Sequence, residues 1–233
     1  MIRVDMDGQQ GVYRSGPAFF GRITASVTHE INNVLSTVGE LSGLLEDLVA
    51  AGAQKGPIPP EKLRHLAERL TAQVSKGTAI IKRLNRFAHS TDEPAKTVDL
   101  GDTLALVVAL AGPFARRKQA TLETHAAGEP FNVQTDPFLL EHAVFLGLEY
   151  ALQSGDPRWL ITVSAARHEQ IAEIIISFVP LEVPAMTGAS WPLLAVLMRQ
   201  LGGTVACTSG ENNTHHLVLT IPLTESGQPT MAP

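Results

Sequence analysis

Phe20, Ile23, Val27, Ile31, Val34, Val38, Leu41, Leu45 and Leu48 recur at steps of three and four. At about 100° per residue such positions line one side of an α-helix. An apolar stripe of this length has to be covered, which restricts the fold more than any other feature of the chain. "AGAQKGPIPP" (51–60), with two glycines and three prolines, interrupts the pattern. Pro60 suits the first turn of a second helix, along which Leu63, Leu66, Leu70, Val74, Gly77, Ile81, Leu84 and Ala88 keep the same steps until "HSTDEPAK" ends them. Two long amphipathic helices with a short connection predict an antiparallel helical hairpin. One hairpin leaves much of both stripes wet, whereas two packed as a four-helix bundle bury them. A homodimer through residues 17–90 is therefore expected.

The pattern changes at Lys96 to mixed α/β. "KTVDL", "ATLETHA" and "FNVQTD" read as strands, with a helix from Gly101 to Lys118 between the first two. Asp136 to Gln153 reads as a helix with Asp at its N-cap and Pro at its first position. "RWLITVSAARHEQIAEIIISFV" gives two strands across a polar turn, "SWPLLAVLMRQLGG" a helix closed by glycine, and "TVACTSG" and "HHLVLTIPL" a last strand pair. Helices on one side of a mostly antiparallel sheet make an α+β sandwich. The expected organisation is a flexible leader (1–16), the hairpin (17–91), the sandwich (96–223) and a tail (224–233). There is no internal repeat.

Composition narrows the function classes. The formal net charge is -5 with acids and bases interspersed, which lacks the basic footprint of a nucleic-acid binder. Cys207 is the single cysteine, so no intramolecular disulfide and no CxxC zinc pair can form. "MIRVDMDGQQGVYRSGP" has no signal-peptide core, and no stretch reaches the roughly 20 apolar residues that cross a bilayer. The expectation is a soluble cytoplasmic protein with neither nucleic-acid nor membrane partners.

Opposite the apolar stripe of the first helix lie Arg22, Ser26, His29, Asn33, Ser36 and Glu40. A lone histidine on such a face is ordinarily a solvated polar residue. An exposed imidazole, mostly neutral at about pH 7, is also a competent nucleophile toward phosphorus. Glu30 is adjacent and is expected to accept a hydrogen bond from one ring nitrogen, fixing the tautomer. Asn33 lies one turn on along the same face, where its amide can orient a water or a phosphoryl oxygen. Other histidines read as structural: His215 and His216 are consecutive in a strand and point to opposite faces, and His65 and His89 fall on the surface of the second helix. Lys82, Arg83 and Arg86 form a basic helix end that the helix dipole favours.

"THEINNVLSTVGELSGLL" resembles the phosphoacceptor box of two-component sensor histidine kinases, whose typical form is H-E-I-N-N-P-L, with Val34 standing where that family has proline. The resemblance implies that His29 is the phosphorylated residue, Glu30 its acid/base partner and Asn33 a water-positioning residue. It also implies that the following domain is of the GHKL/Bergerat ATP-binding type. "DPFLLEHAVFLGLEYAL" resembles that family's metal-binding helix, D-P-x-x-L-x-x-V-L-x-N-L-L-x-N-A, but Leu146 and Tyr150 occupy the asparagine positions. Val179 and Pro180 stand where an Asp-x-Gly-x-Gly loop should open, and the second glycine motif is reduced to "TGAS". Triphosphate binding needs backbone amides from a glycine loop and oxygen ligands for Mg²⁺. The expected domain is therefore degenerate: it binds no cofactor or metal, Tyr150 plugs the former nucleotide pocket, and Trp159 and Trp191 pack the core.

The resemblance thus points to a histidine phosphotransferase of a phosphorelay, derived from a kinase. It would exchange a phosphoryl group between His29 and aspartates of response-regulator receiver domains, which supply the Mg²⁺. Arg22, Ser26, Ser36 and Glu40 would line the docking face. The alternatives are a phosphatase-type regulator using Glu30 and Asn33, a non-enzymatic scaffold, and a kinase with an atypical ATP site.

Overall fold

The computed structural model describes residues 5–126, 129–156, 160–181 and 190–223. The chain forms two compact units: residues 21–88, and residues 89 onward together with the first twenty.

The first unit is the hairpin, made from helices α1 (Asp5–Lys55) and α2 (Pro60–Ala88). Ile23, Val27, Val34 and Leu41 on α1 and Leu66, Ile80 and Phe87 on α2 are its buried apolar residues. A Cβ on Gly77 would lie 3.2 Å from Val34 Cγ1. The missing side chain at position 77 thus lets α2 approach α1 at the residue that replaces the proline of the resembling motif. Gly56, at φ 102°, takes the left-handed conformation that closes α1.

The leader reading is corrected at its C-terminal part. Residues 5–16 are helical and continuous with α1, and Pro17 lies inside the helix. Extending an existing helix avoids the cost of nucleating one, so a polar, glycine-containing segment can stay helical when it is attached to a long helix. In the second unit Phe19 stacks on His142 at 4.4 Å and touches Phe138 and Phe145 at 5.5 and 5.1 Å between ring centroids.

The second unit is an α+β sandwich, as the element pattern predicts. Strand β1 (Lys96–Asp99) pairs antiparallel with β3 (Asn132–Thr135) in a small sheet. The main sheet has the order β2-β4-β5-β7-β6. Its strands are β2 (Thr121–Ala126), β4 (Leu160–His168), β5 (Ile171–Phe178), β6 (Thr204–Ser209) and β7 (His215–Pro222). Only β2 and β4 run parallel; the other pairs are antiparallel. Helices α3 (Leu100–Arg117), α4 (Pro137–Ser154) and α5 (Ser190–Gln200) complete the layer. Side chains alternate along a strand, so Ala172, Ile174, Ile176 and Phe178 of β5 and Leu217, Leu219 and Ile221 of β7 all enter the core.

Helix α4 is buried almost all round, which suits a helix apolar on every side. A Cβ on Gly147 would meet Ile176 Cδ1 at 2.7 Å and Leu217 Cδ2 at 3.0 Å, so glycine sets how closely α4 lies on the sheet. The Asp136 carboxylate caps α4 by accepting from the Leu139 backbone N–H at 2.9 Å. Burial pushes this carboxyl above its usual range, against the pull of the Leu139 and Phe138 amides.

Candidate functional site

His29 is exposed on α1, and so are Arg22, Asn33, Ser36 and Glu40, while Glu30 is half-buried. Ser26 departs from expectation. Only 7 % of its surface is exposed, so it is not part of an open docking face. Position 26 is three residues from Ile23 and next to Val27, and the helix turns it against the buried stripe rather than away from it.

The side chain in hydrogen-bonding contact with the His29 ring is Asn33, whose amide lies 3.2 Å from Nδ1. The spacing of four residues explains it, because i and i+4 are neighbours on a helix face while i and i+1 are not. Two arrangements satisfy it. With Nδ2 donating, Nδ1 is the bare nitrogen and Nε2 carries the proton. With the amide turned over, Oδ1 accepts from Nδ1–H and the Nε2 lone pair faces outward. Only the second makes Nε2 a nucleophile.

On the sandwich, the two positions that carry asparagine in the resembling motif are buried. Leu146 is 5 % exposed and Tyr150 is 4 % exposed. The Tyr150 ring meets Phe178 edge-on at 6.1 Å and Trp191 at 5.7 Å. Its hydroxyl is buried and reaches Ser154 without a hydrogen bond of good geometry. Burial raises its pKa above the usual phenol value, Cys207 adds to the shift, and Ser154 opposes it.

The chain after β5 does not open into a loop at Val179 and Pro180. The Asp156 N–H donates to Val179 O and the Leu181 N–H to Ser154 O, each at 3.0 Å, and Gly155 bridges to Pro180. This stitching ties the strand exit to the end of α4, and no sequence motif announced it. Trp159, Gly188 and most of "TGAS" lie outside the described residues.

The strand histidines pair and pack within the sheet, and His89, expected on the second helix, opens a short 3-10 turn just after it. His216 Nδ1 pairs with Ser177 Oγ across the sheet at 2.8 Å, and His215 packs on the Phe178 ring. His89 pairs with Asp92 at 2.8 Å. Among the described residues no group of three or more His, Cys, Asp and Glu side chains could hold a metal ion. A cleft of about 270 Å³ lies between the start of α3 and strands β2 and β4, lined by Asp99, Asp102, His125, Phe131 and Val163 among others.

No family model matches the chain. It is 25 % identical over 128 residues to the C4-dicarboxylate transport sensor protein DctS of Rhodobacter capsulatus, a match covering 53 % of this chain and only 18 % of that protein. Among solved structures, the catalytic domain of histidine kinase ThkA aligns with a TM-score of 0.51 at 12 % identity, covering 56 % of this chain and 98 % of that one. A histidine kinase from Burkholderia phymatum aligns with a TM-score of 0.50 at 12 % identity, covering 88 % of this chain and 98 % of that one. At such identities the likeness is one of fold: a helical hairpin joined to an α/β sandwich. In fold, the chain is a histidine kinase-like protein.

Proposed function

We propose that this chain is a histidine phosphotransferase of two-component signalling, exchanging a phosphoryl group between His29 and receiver-domain aspartates without using ATP. The observation that carries this reading is the exposed His29 ring with Asn33 on Nδ1. When Asn33 Oδ1 accepts from Nδ1–H, the Nε2 lone pair attacks the phosphorus of an aspartyl phosphate. The N–P bond forms, the P–O bond to the aspartyl carbonyl carbon's oxygen breaks, and the aspartate leaves as a carboxylate. The reverse step regenerates the acyl phosphate on another receiver. The receiver's Mg²⁺ neutralises charge on the transferring group, so this chain contributes the nucleophile and its orientation. Glu30, half-buried and adjacent to His29 in sequence, is the residue this reading assigns to take up or return the imidazole proton.

The absence of ATP use rests on α4. Leu146 offers no oxygen to a metal ion, and Tyr150 fills its surroundings with a ring rather than a carboxamide. Dimerisation rests on the hairpin: Leu35, Leu45, Val49, Leu63, Val74 and Ile81 are exposed apolar residues on its two helices. A second hairpin packed on them would make the four-helix bundle. No helix among the described residues is long and apolar enough to cross a membrane, and the reading places the chain in the cytoplasm. A phosphatase-type regulator is the second reading, favoured if Asn33 Nδ2 orients water instead.

Calorimetric titration with Mg-ATP, beside labelling of His29 from ATP and from acetyl phosphate-charged receiver domains, tests the reading. Label from a receiver with no heat from ATP is expected. Acid-labile label on His29 from ATP would replace the reading with a working kinase. Receiver dephosphorylation that survives His29→Ala would replace it with the phosphatase. Leu35→Glu combined with Ile81→Glu should convert the dimer to a monomer by light scattering, and an unchanged mass would remove this interface.

A further inference from the structure

The cleft of about 270 Å³ between the first turn of α3 and strands β2 and β4 is open because the residues around it are small. In the parallel pairing of β2 with β4, Thr124 lies opposite Val163. These two and Ala165 line the sheet side of the cleft, and none is long enough to close it. Gly101, on the α3 side, adds no side chain; a Cβ there would lie 3.3 Å from Asp99 Oδ1. Leu104, Pro130 and Phe131 extend the apolar lining. Ligand pockets are mostly apolar with a few converging polar groups, and this one falls at the small end of their size range.

Its walls are already fixed. The Asp102 N–H donates to Asp99 Oδ1 at 2.7 Å, and the Thr103 hydroxyl donates to Asp99 O at 2.8 Å. The Leu100 N–H donates to Phe131 O at 3.1 Å, beside the pairing of Asp99 with Asn132 in the small sheet. A ligand entering such a site has little of the protein to order, which favours binding.

The charged groups around the cleft share one sign. Asp99, Asp102 and Glu129 line it, and no lysine or arginine is among its described lining residues. His125 also lines it, but its Nε2 lies 3.6 Å from the carboxylate of Glu123, which does not. A cleft of one sign with low-dielectric walls concentrates the opposite charge. A bare metal ion is a poor occupant, since among the described residues no three His, Cys, Asp and Glu side chains could hold one. It would also gain nothing from Leu104, Phe131 and Val163. An organic cation uses both halves: its charge meets the carboxylates, its body covers the apolar lining, and the Phe131 ring attracts cations through its face. An amino acid would bring a further carboxylate among three acids, so the fit is to an amine that carries none.

We infer that this cleft binds a small organic cation, an amine or guanidine on an aryl or branched-alkyl body with no carboxylate. No described lining residue belongs to α4, α5 or the hairpin, so the site is separate from both regions that resemble kinase motifs. The inference does not rest on the proposed phosphotransfer.

The test is an NMR titration of the intact full-length protein, methyl-labelled at alanine, leucine and valine. The probes are phenethylamine, which is cationic at neutral pH, the uncharged 2-phenylethanol and the anionic 3-phenylpropionate. Saturable shifts of Leu104, Val163 and Ala165 with phenethylamine are expected, weakening between about 50 and 300 mM salt. The alcohol should bind about tenfold more weakly and the carboxylate not at all. D102N/E129Q, at two exposed positions, should weaken the amine about tenfold. A165L should abolish its binding by filling the cleft. If A165L fails to fold, the exposed double variant still decides the outcome. No saturable binding of the amine, shifts confined to other methyls, equal binding of amine and alcohol, or parental affinity in D102N/E129Q would each overturn the proposal.

Discussion

The His29 face of α1 and the inner face of α4 are the two places where this chain resembles catalytic elements of histidine kinases, and they are built in opposite ways. On α1 the residues that match the motif are exposed, and Asn33 holds the His29 ring. On α4 the motif positions are apolar or aromatic, and they are buried among Phe178, Trp191 and the sheet. Leu146 and Tyr150 pack into the core because side chains of that size and polarity gain more from packing than from facing water. What α4 retains is the packing geometry: the Asp136 cap and the close approach at Gly147. Resemblance in framework and resemblance in chemistry are therefore separable within one chain.

The largest effect expected is on the α1 side. On the proposed function, His29→Ala should abolish phosphoryl exchange with every receiver while leaving the mass in solution and the heat-unfolding curve unchanged, since the ring is exposed. Residual label on the variant would move the nucleophile elsewhere and erase the contrast between the two faces.

On the α4 side, introducing the two carboxamides of the resembling motif tests whether this framework takes a nucleotide. Leu146→Asn with Tyr150→Asn places two amides where Leu and Tyr are now buried. Each unsatisfied buried amide costs about 1–3 kcal/mol, with further loss from the cavity left by the ring. The double variant should unfold at a markedly lower temperature and give no heat with Mg-ATP. A variant that binds Mg-ATP and unfolds like the parent would mean that Tyr150 was a plug in an intact pocket rather than part of the core.

Those two sites also differ in how far residues alone disclosed them. The helical period, the alternation along β5 and the cap at Asp136 are local signals, and the structure follows them. Placement of His29 on an open helix face followed from the same period. Failures came where a tertiary neighbour decided. Ser26 is polar and was assigned outward, yet the turn of the helix sets it beside Ile23 and Val27. Residues 5–16 have leader-like composition, yet they continue α1 as helix, and just beyond them Phe19 stacks on His142. Asn33, four positions on from His29, lies within hydrogen-bonding distance of its ring, as the helix repeat favours. The stitching of Val179 and Leu181 to the end of α4 uses backbone groups alone, which no side-chain pattern can announce.

Asp136 gives the smallest effect and the finest test of α4 as a packed element. Its carboxylate accepts from the Leu139 N–H, so Asp136→Ala should cost about 1 kcal/mol of stability. The charge has the opposite sign of effect. Burial raises the folded carboxyl above its usual range, so the folded state binds the proton more tightly than the unfolded chain does. The stability linked to that proton is fully present below the ordinary aspartate pKa and is lost as pH rises through the raised folded value. At neutral pH the ionised cap therefore carries a desolvation cost that asparagine, an equally good cap acceptor, does not. Asp136→Asn should match or exceed the parent's stability at neutral pH, and the difference should shrink as the solution is acidified. An Asp136→Asn variant that is less stable than the parent at neutral pH would show that the helix-end amides favour the charge more than burial opposes it. The start of α4 would then be electrostatically open rather than packed.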